Sequence, residues 1–150
     1  MPTPDTIRQR LQRLFEDQGL AVLSTFGGGQ PYASLVAFAA DTALERLFFC
    51  TSRSTRKYAN MQATPKAALL IDSRSNRDSD FHQAVAATAT GAVREINSAE
   101  SEDFASRFLS RHPYLEAFVR SPSCARMVLD VNTYILVSRF QNVMELHIER

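Results

Sequence analysis

The sequence predicts a mainly antiparallel β-barrel with short helices on its outside. Three observations support this. Short apolar runs with turn signals between them recur along most of the chain. Strands and helices do not alternate regularly, which argues against a doubly wound parallel sheet. Several runs place apolar residues on both faces: in Pro31 to Ala40, Tyr32, Ser34, Val36 and Phe38 alternate with Ala33, Leu35, Ala37 and Ala39. A closed sheet with helices packed outside explains such strands.

Each element has its own signal. Thr3-Pro4-Asp5 reads as a helix start, with Thr3 capping, Pro4 in the first position and Asp5 at the positive end of the dipole. Ile7, Leu11, Leu14 and Phe15 follow on one face, and Gly19 is the expected stop. Leu20 to Phe26 and Pro31 to Ala40 are strands joined through Gly27-Gly28-Gly29-Gln30, a hairpin signal. Leu47 to Thr51 is a third strand. Ser54 to Ala63 is a short helix ending before Pro65, and Ala67 to Ile71 is a buried strand. Asp72 to Asp80 is a polar loop. Val85 to Ile96 is a long strand. Asn97 then opens a helix with Glu100 three residues on, as in a capping box, and Phe104, Phe108 and Leu109 form its apolar face. His112-Pro113 breaks that helix, and Tyr114 to Val119 adds a turn or two. Met127 to Val131, Tyr134 to Phe140 and Val143 to Ile148 complete about seven strands.

The 150 residues fit one domain over 1–150. A domain this long buries roughly 68–70% of its unfolded surface and needs no disulfide or metal to hold a core. Cys50 and Cys124 form no CxxC pair, which suits a reducing compartment. Seventeen Lys and Arg against sixteen Asp and Glu argue against a dedicated nucleic-acid binder. The N-terminus lacks a basic segment followed by an apolar core, and no apolar run approaches the ~20 residues that cross a bilayer. The expectation is a soluble, cytoplasmic protein.

The stretch Thr51-Ser52-Arg53-Ser54-Thr55-Arg56-Lys57 carries the chemistry. It puts four hydroxyls and three cations in seven residues, between a strand and a helix. A helix start offers free N–H groups and partial positive charge, and Arg grips phosphate oxygens in pairs. A phosphate suits this arrangement. Ser and Thr also cap helices, and Arg and Lys commonly coat them, so the pattern alone leaves both readings open. It is not a P-loop, since GxxxxGK[ST] is absent, and Gly27-Gly28-Gly29 lacks the spacing of a dinucleotide fingerprint. His82, His112 and His147 form no metal-spaced pair; His82 and His112 are expected at the surface or in caps, and His147 facing outward or into a dimer. No GxSxG is present to support hydrolysis. Cys50 reads as a packed strand residue. Phe104, Phe108, Tyr114 and Phe118 read as core or dimer contact.

Phe48 to Lys57, followed by Asn60-Met61-Gln62-Ala63-Thr64-Pro65 and the strand to Ile71, resembles the pyridoxamine 5′-phosphate oxidase-like family of flavin-binding split barrels. The resemblance runs from Leu20 to about Ile96 and weakens beyond Asn97. It implies a homodimer with flavin mononucleotide (FMN) at the subunit interface. Thr55, Arg56 and Lys57 match the phosphate ligands, and Cys50 and Thr51 would lie beside the flavin. Ser34, Leu35 and Val36 would pass the ring and offer backbone groups. Arg74 and Asn76 are further candidates from the polar loop. Where true pyridoxamine phosphate oxidases carry an Arg and then a Lys on the second strand, this chain has Tyr32 and Ala37. The family's C-terminal Arg/His signature is not visible, and the chain has no Trp. The resemblance therefore extends to FMN binding and a flavin-dependent oxidoreductase of unknown substrate, not to vitamin B6 oxidation. The alternative is a non-catalytic flavin- or heme-binding module, similar to the family's heme-utilisation relatives.

Overall fold

The first helix, α1 (Pro4–Asp17), starts where a hydroxyl and a proline meet. Thr3 caps it by accepting the Thr6 N–H, and Pro4 occupies a position whose N–H would be unpaired anyway. The computed structural model describes residues 2–150. Ile7, Leu11, Leu14 and Phe15 are buried and join the barrel core, as their helical spacing predicts. Gly19 is not the stop: α1 ends on Gln18, which is already extended. Gly19 instead sits beside the His112 ring, where a Cβ would make ordinary contact at 3.4 Å.

β1 (Leu20–Gly27) and β2 (Gln30–Ala40) form the expected hairpin, turning on Gly28 and Gly29 alone. Both have positive φ, 59° and 76°, as a two-residue turn matched to the right-handed strand twist requires. β3 (Arg46–Ser52) follows, then α2 (Arg56–Ala63), β4 (Lys66–Asp72), the short α3 (Asp80–Gln83) and β5 (Val85–Glu95). A helical turn at Ser98–Glu100 leads into α4 (Ser101–Arg111), a second at Pro113–Leu115 into α5 (Glu116–Arg120), and β6 (Cys124–Ser138) and β7 (Asn142–His147) end the chain. The strand order is β3-β2-β1-β4-β5-β6-β7, and β3 also pairs with β6, so six strands close an antiparallel barrel. β7 extends the sheet along the far half of β6.

β6 corrects one expectation. Met127 to Val131 and Tyr134 to Phe140 are a single strand rather than two, ending at Ser138. The interruption at Asn132 is a bulge: β5 pairs Thr90 with Thr133 and Gly91 with Val131, leaving Asn132 over. Gly91 is required there, because a Cβ would collide with the Asp130 carbonyl. The bulge lets one strand serve two neighbours on one edge, β3 along its first half and β7 along its second.

The barrel interior is one core; a second lies outside β3 and β6, under α4 and α5. There Phe48, Cys50 and Val128 meet Phe104, Phe108 and Val119. Phe104 and Phe108 are thus core, as read from the sequence, with rings stacked at 5.4 Å. The predicted capping box is present, Asn97 and Glu100 each accepting the other's backbone N–H. Glu100 also joins a network that pins this corner to the barrel. Arg94 reaches Glu100 at 2.6 Å and Asp130 at 2.7 Å, and Arg46 reaches Asp41, Glu100 and Asp103 at 3.1, 3.1 and 2.9 Å.

His112 is a cap, as one of its two expected roles has it, and is not at the surface. It ends α4 and is 3% exposed. Its Nε2 lies 2.9 Å from the Phe38 carbonyl oxygen. A carbonyl only accepts, so Nε2 carries the proton. The contact ties the end of α4 to β2. His82 and His147 are exposed, as expected.

Candidate functional site

The segment between β3 and α2 folds around Thr55. Its hydroxyl donates to the Ser52 carbonyl at 2.8 Å and accepts the Tyr58 N–H at 3.2 Å, capping α2. Having spent its one proton on Ser52, it accepts from Thr51, whose hydroxyl lies 2.9 Å away. Thr51 is buried near the end of β3, so the α2 start is locked to the barrel wall. The first helical N–H groups, of Arg56 and Lys57, have no intrahelical partners and open to whatever lies before the helix.

A cleft of about 290 Å³ lies there. One wall is β2, at Leu35, Val36 and Ala37, and another is β3, at Cys50, Thr51 and Ser52. Thr55 and Lys57 line its α2 end, and Phe108, Leu115 and Phe118 form the side opposite the strands. The cleft therefore has a cationic, hydroxyl-bearing end and an apolar wall.

Lys57 lines this cleft and has no hydrogen-bond or ion-pair partner among the described residues. Burial pulls its ammonium below the usual lysine range, and no carboxylate opposes the effect. An anion in the cleft would remove that penalty. Cys50 is in the opposite state: burial pushes its thiol up, with Cys124 beside it adding to the shift. It is a neutral packed thiol, as the sequence reading expects, and not a nucleophile.

Six of the ten sequence-predicted residues line this one cleft: Leu35, Val36, Cys50, Thr51, Thr55 and Lys57. Ser34 does not line the cleft, and its hydroxyl oxygen is buried without a partner. Arg56 is exposed beside the cleft, its guanidinium 5.5 Å above the Tyr32 ring. Arg53 turns away from it and pairs with Glu95 at 2.6 Å. Arg74 and Asn76 lie elsewhere, in a cleft with Phe81 and Phe140, where Arg74 pairs with Asp72 at 2.6 Å. Sequence reading missed the roles of Phe108, Leu115 and Phe118 as a cleft wall.

The comparisons with known proteins bear on the family and the fold. The family model described as pyridoxamine 5′-phosphate oxidase matches residues 7–138. The chain belongs to that family. No curated protein matches the sequence. Among solved structures, a heme-binding protein from Mycobacterium smegmatis superposes with a TM-score of 0.85 at 16% identity, over 98% of this chain and 59% of that one. Campylobacter jejuni ChuZ gives 0.81 at 9% identity, over 95% of this chain and 60% of that one. A FAD-binding protein from Mesorhizobium loti gives 0.68 at 12% identity, over 85% and 90%. At these identities the likeness speaks for the fold of the family, the split barrel. The chain spans less than two thirds of the mycobacterial and Campylobacter proteins. No helix among the described residues is long and apolar enough to cross a membrane.

Proposed function

We infer that this pyridoxamine 5′-phosphate oxidase-family chain binds FMN and acts as a flavin-dependent oxidoreductase, with 1–150 forming one domain. One observation carries the reading: an unpartnered, partly desolvated Lys57 beside the free α2 start, at the charged end of an otherwise apolar cleft. Lys57, the α2 N–H groups and Thr55 would hold the phosphate, with Arg56 swinging in from Tyr32. The β2 backbone at Leu35 and Val36 would meet the polar edge of the ring. The dry wall of Phe108, Leu115 and Phe118 would exclude water. Bound flavin supplies hydride and single-electron transfer, which the protein's own side chains cannot.

The same reading makes the protein a homodimer. Binding clefts for drug-sized ligands hold roughly 300–1,000 Å³, and this cleft, at about 290 Å³, sits at the bottom of that range. A second chain would complete it. The outward barrel face supports this, because Leu35, Val22, Leu70, Thr88 and Ile135 stand side by side across five strands. Leu35, 65% exposed, belongs both to that row and to the cleft, so a partner covering the row would also close the cleft.

FMN is favoured over FAD because the phosphate would end at the α2 start, which leaves little reason for a second nucleotide half. The M. loti neighbour binds FAD, so the choice needs a test. Flavin fluorescence titration of the stripped protein should show tight FMN binding and much weaker FAD binding. Equal affinity, or none for either, overturns the reading. The M. smegmatis neighbour favours a second reading, a heme-binding module without catalysis. No histidine lines the cleft, and its one sulfur ligand, Cys50, is a neutral thiol. An absorbance spectrum with released-cofactor analysis separates flavin bands from a Soret band. Reduction by a nicotinamide cofactor and turnover of an acceptor then separates enzyme from carrier.

A further inference from the structure

A second cleft, of about 330 Å³, lies behind α5. Arg53, Arg120 and Arg126 line it, with the hydroxyls of Ser98, Ser101 and Ser121. Its one carboxylate, Glu95, is bound to Arg53 at 2.6 Å and accepts from Tyr58 as well, so these two charges cancel. Arg120 and Arg126 remain. Arg120 holds Glu116 only at 3.6 Å, with both side chains about three-fifths exposed, a pair that exchanges readily. Arg126 is half-buried and has no carboxylate within ion-pair distance among the described residues. Its contacts are the Ser101 hydroxyl at 3.3 Å and the face of Phe104 at 5.7 Å. A guanidinium presents five donors, so most of its bonding capacity stays unused.

We propose that this cleft is a second anion site that binds the phosphate group of a small phosphorylated ligand. Arg126, joined by Arg120 once it leaves its exposed pair with Glu116, would supply two guanidinium charges to a group carrying about −1.5 to −2 at neutral pH. Two forks and three hydroxyls offer more donors than the two oxygens of a carboxylate can use, and suit the several acceptor oxygens of a tetrahedral ion. The site is separate from the flavin cleft. α5 and the helical turn before it divide them, with Leu115 and Phe118 on one side and Val119 and Arg120 on the other.

The test is a titration of the purified chain with inorganic phosphate, followed by two-dimensional proton–nitrogen NMR. Saturable shifts are expected at Ser98, Ser101 and Ser121. They should persist in Lys57→Ala, which disables only the α2 cradle, and in Arg13→Gln on α1. Arg126→Gln and Arg120→Gln should each weaken binding roughly tenfold, and Arg126→Lys should weaken it too, since an ammonium lacks the planar fork. Arg120 is exposed, so its variant keeps the test valid should Arg126→Gln fail to fold. Shifts that never saturate, shifts confined to Thr55–Tyr58, an equal response to acetate, or unchanged affinity in folded Arg120→Gln each overturn the proposal.

Discussion

Removing the Lys57 ammonium should weaken FMN binding far more than riboflavin binding. A charge-assisted hydrogen bond is worth about 1.5–3 kcal/mol. At roughly 1.4 kcal/mol per factor of ten, Lys57→Ala should lose ten- to a hundredfold in affinity. Lys57 already lines the cleft and gives up no partner to bind, so the full range applies. Arg56 begins above Tyr32 and must abandon a cation–π contact worth about 0.5–1 kcal/mol at an exposed site. Arg56→Ala should therefore cost less, from a few-fold to a few tens. Thr55→Ala removes the α2 cap, at about 1 kcal/mol of stability, and one donor at the site. Arg53→Ala is the control, because its guanidinium is committed to Glu95 on the far side of the segment. Riboflavin lacks the phosphate, so it should bind the wild type weakly and be indifferent to Arg56 and Lys57. The assay is flavin fluorescence quenching on stripped protein, with circular dichroism confirming the fold. Wild-type FMN affinity in folded Lys57→Ala would place the phosphate elsewhere and refute the reasoning.

The remaining predictions concern assembly, acid stability and the thiols. Light scattering should give a dimeric mass, and Leu70→Glu with Ile135→Glu, which charge the outward row, should give monomers; a monomeric wild type saturated with FMN would sink the interface. Arg94, with the Asn97 N–H and Arg46 adding to it, holds the Glu100 carboxyl down to about 2 from an ordinary 4.5. A depressed acid stabilises the fold above its unfolded pKa and loses that contribution as pH falls through the folded one. The full linkage is about 3 kcal/mol, which the partial exposure of Arg94 reduces to roughly 2 kcal/mol. Glu100→Gln should lose that much in urea melts at neutral pH, and the gap should close between pH ~4.5 and ~2; a gap independent of pH would refute the ion-pair account. Burial raises both the Cys50 and Cys124 thiols, so a thiol reagent at neutral pH should label neither until denaturant is added. Rapid labelling of the native protein would contradict their packing.

Most of the barrel was legible because its signals are local. The Gly28-Gly29 turn, the Thr3-Pro4 helix start and the Asn97–Glu100 capping box each need only a few contiguous residues, and each forms as read. The misreadings needed information from afar. Asn132 looks like a strand break because nothing within reach of it in sequence announces Gly91, the residue whose missing Cβ lets the bulge form. His112 beside Pro113 looks like a surface breaker until Phe38, on β2, supplies a buried carbonyl for its ring. Polar residues that terminate elements are easily taken for solvent-facing ones when their partners lie on another strand.

The site divides along the same line. That Thr51, Thr55 and Lys57 share one cleft was legible because they sit on one strand end and one helix start, within seven residues. The apolar wall was not, since Phe108, Leu115 and Phe118 reach the cleft only after β5 has crossed the barrel and the ion network has fixed α4 against β3. In the sequence these side chains have the spacing of an ordinary helix core, and Phe108 does serve as core while also facing the cleft. That double duty bears on function. A ligand seated here would meet a cation and free amides at one end and rings at the other. On the function proposed above, such a cleft would suit an amphipathic molecule carrying its own reactive centre, and would leave to the protein the tasks of holding a charged tail and keeping a planar head dry.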